Sequence, residues 1–179
     1  MTAIPVAQST TVAIISDTHT VLDPRVAEAI SHADIAIHAG DIGNASVLSA
    51  MHPRTGRIIA VTGNNDHAIF WPEGQSDVIA SMPEVAHFEL PGGNVAIEHG
   101  HRHSSYSPDH QSLRDTYPDA KLVVYGHTHQ QVIDDESTPW VVNPGAAGAT
   151  RTNGGPSYLL LTASEQGWKI ESFQFSNCT

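Results

Sequence analysis

Three short apolar runs near the start of the chain, residues 12–16, 35–39 and 58–62, are rich in β-branched side chains, and each gives way at once to a polar loop. Continuous apolar stretches of this length, bounded by turn residues, read as strands buried on both faces. Between the first two, residues 24–33 carry Val26, Ala27, Ala29 and Ile30 at helical spacing, and Asp23 stands as a cap just before Pro24. A weaker helix is expected over residues 45–51. A β-α-β-α-β order makes the three strands parallel, because each crossover returns the chain to the same edge of the sheet. Their polar loops then share one edge, where open α/β sheets bind ligands.

The second half is richer in strands. Residues 85–90 and 94–98 flank Pro91-Gly92-Gly93, a hairpin-type turn. A helix is expected over 109–117, stopped by Pro118. Strands over 122–125, 140–142, 158–162 and 168–175 complete the set, and these last four look like a largely antiparallel array. The fold expected is α/β: a layered α/β/β/α sandwich of two mixed sheets flanked by helices. The 179 residues contain no internal repeat, low-complexity tract or linker, so a single domain over 1–179 is expected.

Composition narrows the function. With 19 acidic and 8 basic residues the formal charge is −11, which argues against a groove tracking extended nucleic acid. No stretch approaches the ~20 apolar residues that cross a bilayer. Residues 1–11 lack the basic start and apolar core of a secretion signal and read as a loose leader. The single cysteine, Cys178, cannot form an internal disulfide, so a reducing, cytoplasmic setting is the simplest expectation. The 12 histidines matter more, since neutral imidazole is the commonest metal ligand.

Five polar clusters each follow a separate expected strand: Asp17-Thr18-His19, Gly40-Asp41, Gly63-Asn64-Asn65-Asp66, His99-Gly100-His101 and Gly126-His127-Thr128-His129. Asp and His offer oxygen and nitrogen donors of intermediate hardness, suited to manganese, iron, zinc or cobalt. In extended backbone, residues two apart point to the same side, so Asp17 with His19, and His127 with His129, can each present paired donors. Alone, an Asp-x-His is an ordinary surface turn and Gly-Asp says almost nothing. Their conjunction at five strand ends is what points to a metal site.

This ordered set, D-x-H, G-D, G-N-x-[DE], H-G-H and G-H-x-H, resembles the calcineurin-like metallophosphoesterase superfamily over residues 12–162. The N-N-D form of the third motif and Asn143-Pro144-Gly145 look like the small YfcE-type phosphodiesterase branch. The resemblance implies two divalent cations, manganese foremost, with nickel, zinc, iron or cobalt as alternatives. One would be held by Asp17, His19, Asp41 and His129, the other by Asp41, Asn64, His99 and His127, with Asp41 bridging. Two such ions bring +4 against −3 from Asp17, Asp41 and a bridging hydroxide, leaving a net +1 facing an anionic ester. The implied reaction is attack of metal hydroxide on phosphorus in a small phosphodiester. Asn64 and Asp66 would hold the catalytic loop, Asp66 through a ligand histidine or a backbone amide.

One departure bears on chemistry. Many superfamily members carry His where this chain has Asn65, which cannot act as a general acid but can still contact substrate. That favours esters with good leaving groups, or a substitute acid, for which His101 and His67 are nearest in sequence. Arg151, beyond Asn143-Pro144-Gly145, can bind substrate phosphate through its guanidinium, whereas Arg102 reads as a surface salt bridge. His38 sits inside a strand run just before Gly40-Asp41 and is expected to pack near the site. The remaining histidines are assigned to the surface or to positions behind the ligands, and Trp71, Trp140 and Trp168 to the core. Two other readings share the motifs: a phosphomonoesterase or nucleotidase, and a non-catalytic scaffold like the retromer-subunit branch of the fold. The latter branch has lost several of the histidines retained here. The resemblance also implies a homo-oligomer, though no stretch identifies an interface.

Overall fold

The computed structural model describes residues 9–177. Most of the expected leader and Cys178 lie outside the described residues. Strands β1 (Thr10–Ile15), β2 (Ile35–His38) and β3 (Arg57–Ala60) pair in parallel through α1 (Pro24–Ser31) and α2 (Ala45–Ala50). Helix α1 starts where expected because the Asp23 carboxylate accepts from the Arg25 amide at 2.9 Å, while Pro24 supplies the preset φ of a first turn.

The apolar character of residues 12–15 and 35–37 has a direct cause. Val12, Ile14, Ile35 and Ile37 face a core shared with the second sheet. Ala13, Ile15 and Ala36 face the other way, onto Val26 and Ile30 of α1. Both faces of these segments are buried, so a run with period-two polarity would leave unpaired polar groups inside.

The second sheet contains β4 (Val85–Leu90), β5 (Gly93–Glu98), β6 (Leu122–Val124), β7 (Gln131–Asp134) and β8 (Trp140–Pro144), in the order β4-β5-β6-β8-β7. The β4–β5 hairpin turns at Pro91-Gly92, where Gly92 takes a φ of +84° that the turn requires. Helix α4 (His110–Thr116), capped by Asp109, covers the outer face and packs Leu113 against Ala96, Val123 and Val141. A short helix, α3 (Ser76–Ala80), precedes β4. The layers are therefore helix, sheet, sheet and helix, an α/β sandwich of two mixed sheets.

One expectation is overturned. The last four anticipated strands do not form a single antiparallel array, because β6 and β8 run parallel to each other and to β5. The final pair, β9 (Ser157–Ser164) and β10 (Gly167–Gln174), instead crosses back to the first sheet, giving β10-β9-β1-β2-β3. Leu159 and Leu161 of β9 pair with Ile14 and Val12 and join the same intersheet core. That arrangement covers the open edge of β1, which would otherwise expose unpaired amides. No helix among the described residues is long and apolar enough to cross a membrane.

Candidate metal centre

The loops that leave β1, β2, β3, β5 and β6 meet at one end of the sandwich. Main-chain hydrogen bonds lace the first two together, from the Asp17 amide to the Gly40 carbonyl and from the His19 amide to the Asp41 carbonyl, both 3.0 Å. The Gly126 amide donates to the His99 carbonyl at 3.1 Å, and the His127 amide donates to Asp17 Oδ2 at 3.0 Å. Across the sheets, His99 Nδ1 lies 2.7 Å from the Ala39 carbonyl.

The backbone here is strained. Among the described residues, seven non-glycine positions have left-handed φ: Asp17, His19, Thr20, Asp41, His127, His129 and Arg151. For an L-residue that conformation costs ~1–2 kcal/mol. Five of the seven are the acids and imidazoles that the sequence marks as metal ligands, and Thr20 and Arg151 stand beside them. Strain concentrated in this way is retained when the local geometry is needed for function.

The side chains converge as the backbone does. Asp17 Oδ1 lies 3.2 Å from His129 Nε2 and 3.9 Å from both His19 Nε2 and His99 Nε2. Asp41 reaches in both directions, with Oδ2 3.8 Å from His19 Nε2 and Oδ1 3.4 Å from His99 Nε2. His127 Nδ1 is 3.0 Å from Asn64 Oδ1. Two nitrogens are aimed from behind: His99 Nδ1 at the Ala39 carbonyl and His129 Nδ1 at the Arg151 carbonyl, 2.6 Å away. A proton held on each Nδ1 leaves Nε2 as a lone-pair donor facing the carboxylates, which is how metal-binding imidazoles are commonly oriented. Asp17 Oδ1 and His99 Nε2 are buried and make no hydrogen bond. Orphaned polar atoms of this kind are expensive unless a ligand satisfies them. Two groupings that share Asp17, namely Asp17-His19-His129 and Asp17-Asp41-His99, are each tight enough to hold a cation, so the donor set fits divalent metals.

Close backbone approach explains one glycine. A Cβ at Gly63 would overlap the Asp41 carboxylate and its amide. Gly63→Ala is therefore expected to displace Asp41 and weaken cation binding by about 10–100-fold while leaving the far-ultraviolet circular dichroism unchanged. A metal titration of the variant checks this.

Electrostatics set the pH behaviour of the metal-free protein. Burial opposes charge on His99, yet Asp41 and Asp17 outweigh it and raise its pKa to about 9. The Asp17 carboxylate raises His129 as well, whereas burial lowers His19. Burial pushes His38 down to about 3. The His99 contribution to stability is complete below the unfolded-state value of ~6.5 and is lost as pH rises through about 9. The His38 contribution is complete above ~6.5 and is lost as pH falls toward about 3. Thermal scans in chelator should therefore show the contribution of this pair greatest near pH ~6.5. Melting temperatures that climb steadily from pH 6.5 to 9 would contradict it. Cation binding at neutral pH should release protons, because His99 must give up its own.

The remaining expected residues fall as follows. Asn65 donates from its amide nitrogen and its side chain to Asp41, at 2.8 and 2.6 Å, and so holds that carboxylate in place. Asp66 is buried and faces the loops rather than the cleft. It accepts from the Ile42, Gly43 and Gly63 amides and from Trp71 Nε1 at 2.8–3.2 Å. Those bonds tie the loops after β2 and β3 together, the backbone-amide role expected of it. The His101 ring lies tilted against those of His99 and His127, with centroids 5.5 and 6.3 Å away, and its buried Nδ1 has no hydrogen-bond partner. Arg151 places a guanidinium nitrogen 3.4 Å from His19 Nδ1 at the mouth. His67 is exposed, and Arg102 pairs with Glu84 and Glu98.

Three participants went unassigned in the sequence. Asn143, noticed only as part of a tripeptide, donates to the Gly126 carbonyl at 2.6 Å and so fixes the loop of His127. Thr18 Oγ1 lies 2.9 Å from His38 Nε2 and donates to the Ile42 carbonyl, which ties the first two loops together beneath the site. The Ser105 carbonyl sits 3.2 Å from His127 Nε2 and had no sequence signal at all.

Comparison with known proteins agrees with this geometry. Residues 11–166 match the calcineurin-like phosphoesterase superfamily domain. A phosphodiesterase of Methanocaldococcus jannaschii is 30% identical over 145 residues, covering 75% of this chain and 82% of that protein. In fold alone, the chain resembles a Vps29 variant of Entamoeba histolytica, with TM-score 0.69 at 18% identity over 93% of this chain and 99% of that one. It likewise resembles the phosphoesterase Yfce of E. coli, with TM-score 0.60 at 21% identity over 92% and 98%. A domain match spanning most of the sequence, on a sandwich whose loops gather these acids and imidazoles, means that the chain belongs to the calcineurin-like phosphoesterase superfamily.

Proposed function

We propose that this phosphoesterase-family chain is a binuclear, divalent-cation-dependent phosphodiesterase. The observation that carries the reading is the meeting of Asp17, His19, Asp41, His99 and His129, all but His99 on strained backbone, with buried ligand atoms of Asp17 and His99 left without a hydrogen-bond partner. Asp17, His19, Asp41 and His129 would hold one cation; Asp41, Asn64, His99 and His127 would hold the other. Manganese is the foremost candidate, because mixed carboxylate and imidazole donors suit it and availability rather than affinity order selects among such metals. When bound, the pair supplies Lewis-acid polarisation of phosphoryl oxygens and acidifies water for attack on phosphorus.

The chain's own residues do the rest. Asn65 and its amide hold both oxygens of Asp41, fixing the carboxylate between the two donor groups. Arg151 at the mouth offers a guanidinium to a non-bridging phosphate oxygen. His101, beside His99 and His127, stands where a leaving oxygen can collect a proton. A small phosphoester is the matching substrate class, and the diester preference follows the relative named as a phosphodiesterase.

The test is a manganese-supplemented comparison of a bis-aryl phosphate with the corresponding mono-aryl phosphate. The diester should be turned over faster. A monoester hydrolysed far faster would replace the diesterase reading with a phosphomonoesterase or nucleotidase one.

A further inference from the structure

The large hydrophobic side chains left exposed are not scattered. Among the described residues they are Val21, Ile69, Phe70, Tyr106 and Phe173, at 51%, 84%, 62%, 86% and 38% exposure. Phe173 stacks on Tyr158 with centroids 4.8 Å apart, which accounts for it. The other four belong to loops that carry the candidate centre.

Contacts of their neighbours fix the place of these loops around it. Val21 follows His19 by two residues, and its amide donates to the Thr18 carbonyl at 3.2 Å. Ile69 and Phe70 lie in the turn between Asp66 and Trp71, whose side chains are hydrogen-bonded at 2.9 Å, so the turn cannot move away from the third loop. Trp71 and Leu22 share one apolar cluster, which brings the Val21 segment and the 69–70 turn to the same side. On the other side, Ser105, the neighbour of Tyr106, presents its carbonyl to His127, and His127 in turn touches Asn64. The three loops that carry the centre thus also carry exposed apolar or aromatic side chains, with Arg151 at the mouth. Exposed apolar side chains gathered on the loops of one site are a usual mark of a ligand-binding surface.

Resting on the phosphoester reading above, we infer that Phe70 and Tyr106, with Ile69 and Val21, form a specificity rim that selects phosphoesters bearing a planar aromatic group. The polar centre takes the phosphoryl group and the rim takes the flat apolar substituent, by stacking and by removing apolar area from water. Binding energy gained away from phosphorus then favours such esters over alkyl ones.

Calorimetric titration of the manganese-loaded protein with phenylphosphonate and methylphosphonate separates the two parts, since both probes carry the same anionic head. Phenylphosphonate should bind about tenfold more tightly. Phe70→Ala and Tyr106→Ala should each shrink that ratio severalfold, with metal content and methylphosphonate affinity unchanged. Equal binding of the two phosphonates by the wild-type protein would overturn the rim while leaving the phosphoester site standing. Failure of both to bind would instead remove the site on which the rim depends. Should Ile69→Ser change the sedimentation of the protein while the phosphonate ratio stays at one, the patch joins copies of the chain and the proposal is wrong. A nucleoside 5′-phosphate tested against ribose 5-phosphate then identifies the source of the aromatic group: tighter nucleotide binding marks a nucleobase, and parity marks another aryl group.

Discussion

Asp41→Asn is expected to lower kcat/KM for a bis-aryl phosphate by about a hundredfold or more, a size set by the 10–100-fold typical of groups that only support a metal ligand. The reason lies in the position of the carboxylate. Its two oxygens face His19 on one side and His99 on the other, so a single substitution weakens both halves of the centre. Asparagine keeps the shape but replaces one oxygen by a donor and removes the negative charge. It also places an amide against the Asn65 side chain, which donates to Asp41 Oδ2 at 2.6 Å. Metal content measured on the purified variant should fall together with turnover. Wild-type turnover with full metal content would contradict the bridging assignment.

Asp66→Ala is expected to act on folding. The Asp66 carboxylate is 2% exposed and is bonded by three backbone amides and the Trp71 indole. Removing it leaves four donors without an acceptor in a site that water does not reach. Each buried orphan costs ~1–3 kcal/mol, only part of which adds, so a loss of about 3–5 kcal/mol is anticipated. For a chain of this size that corresponds to a melting temperature lower by about 10–15 °C. Chemical unfolding at fixed metal concentration checks the figure, and a shift below about 1 kcal/mol would show that the loop is held by other contacts. Such a result would also weaken the view that Asp66 acts on the loops alone.

The parallel half of the fold was legible because its signals are local. Apolar runs, a capping Asp23 and the crossover rule together fix β1, α1, β2, α2 and β3. The partners of β6, β8 and β9 were not legible, since a run such as Leu159-Leu160-Leu161 reports burial and not which strand lies beside it. Strand β7 was missed because only Val132 and Ile133 are apolar within it. Helix α3 was missed for another reason: it spans five residues, has no side-chain cap and buries none of its residues. At the candidate site, glycine-bounded acids and imidazoles announced themselves by residue type. The supports did not. Asn143 binding the Gly126 carbonyl and the Ala39 and Arg151 carbonyls orienting His99 and His129 are tertiary contacts that no spacing encodes. Asn65 has a supporting task that no spacing announces, because only the folded loops reveal that its amide lies against Asp41.

The most direct test of the central claim is anomalous diffraction from crystals soaked in manganese, recorded at the metal edge. Two peaks are predicted, one on each side of the Asp41 carboxylate, the first also reached by Asp17, His19 and His129 and the second by Asn64, His99 and His127. A single peak, or peaks lying away from Asp41, would contradict a twin-cation centre.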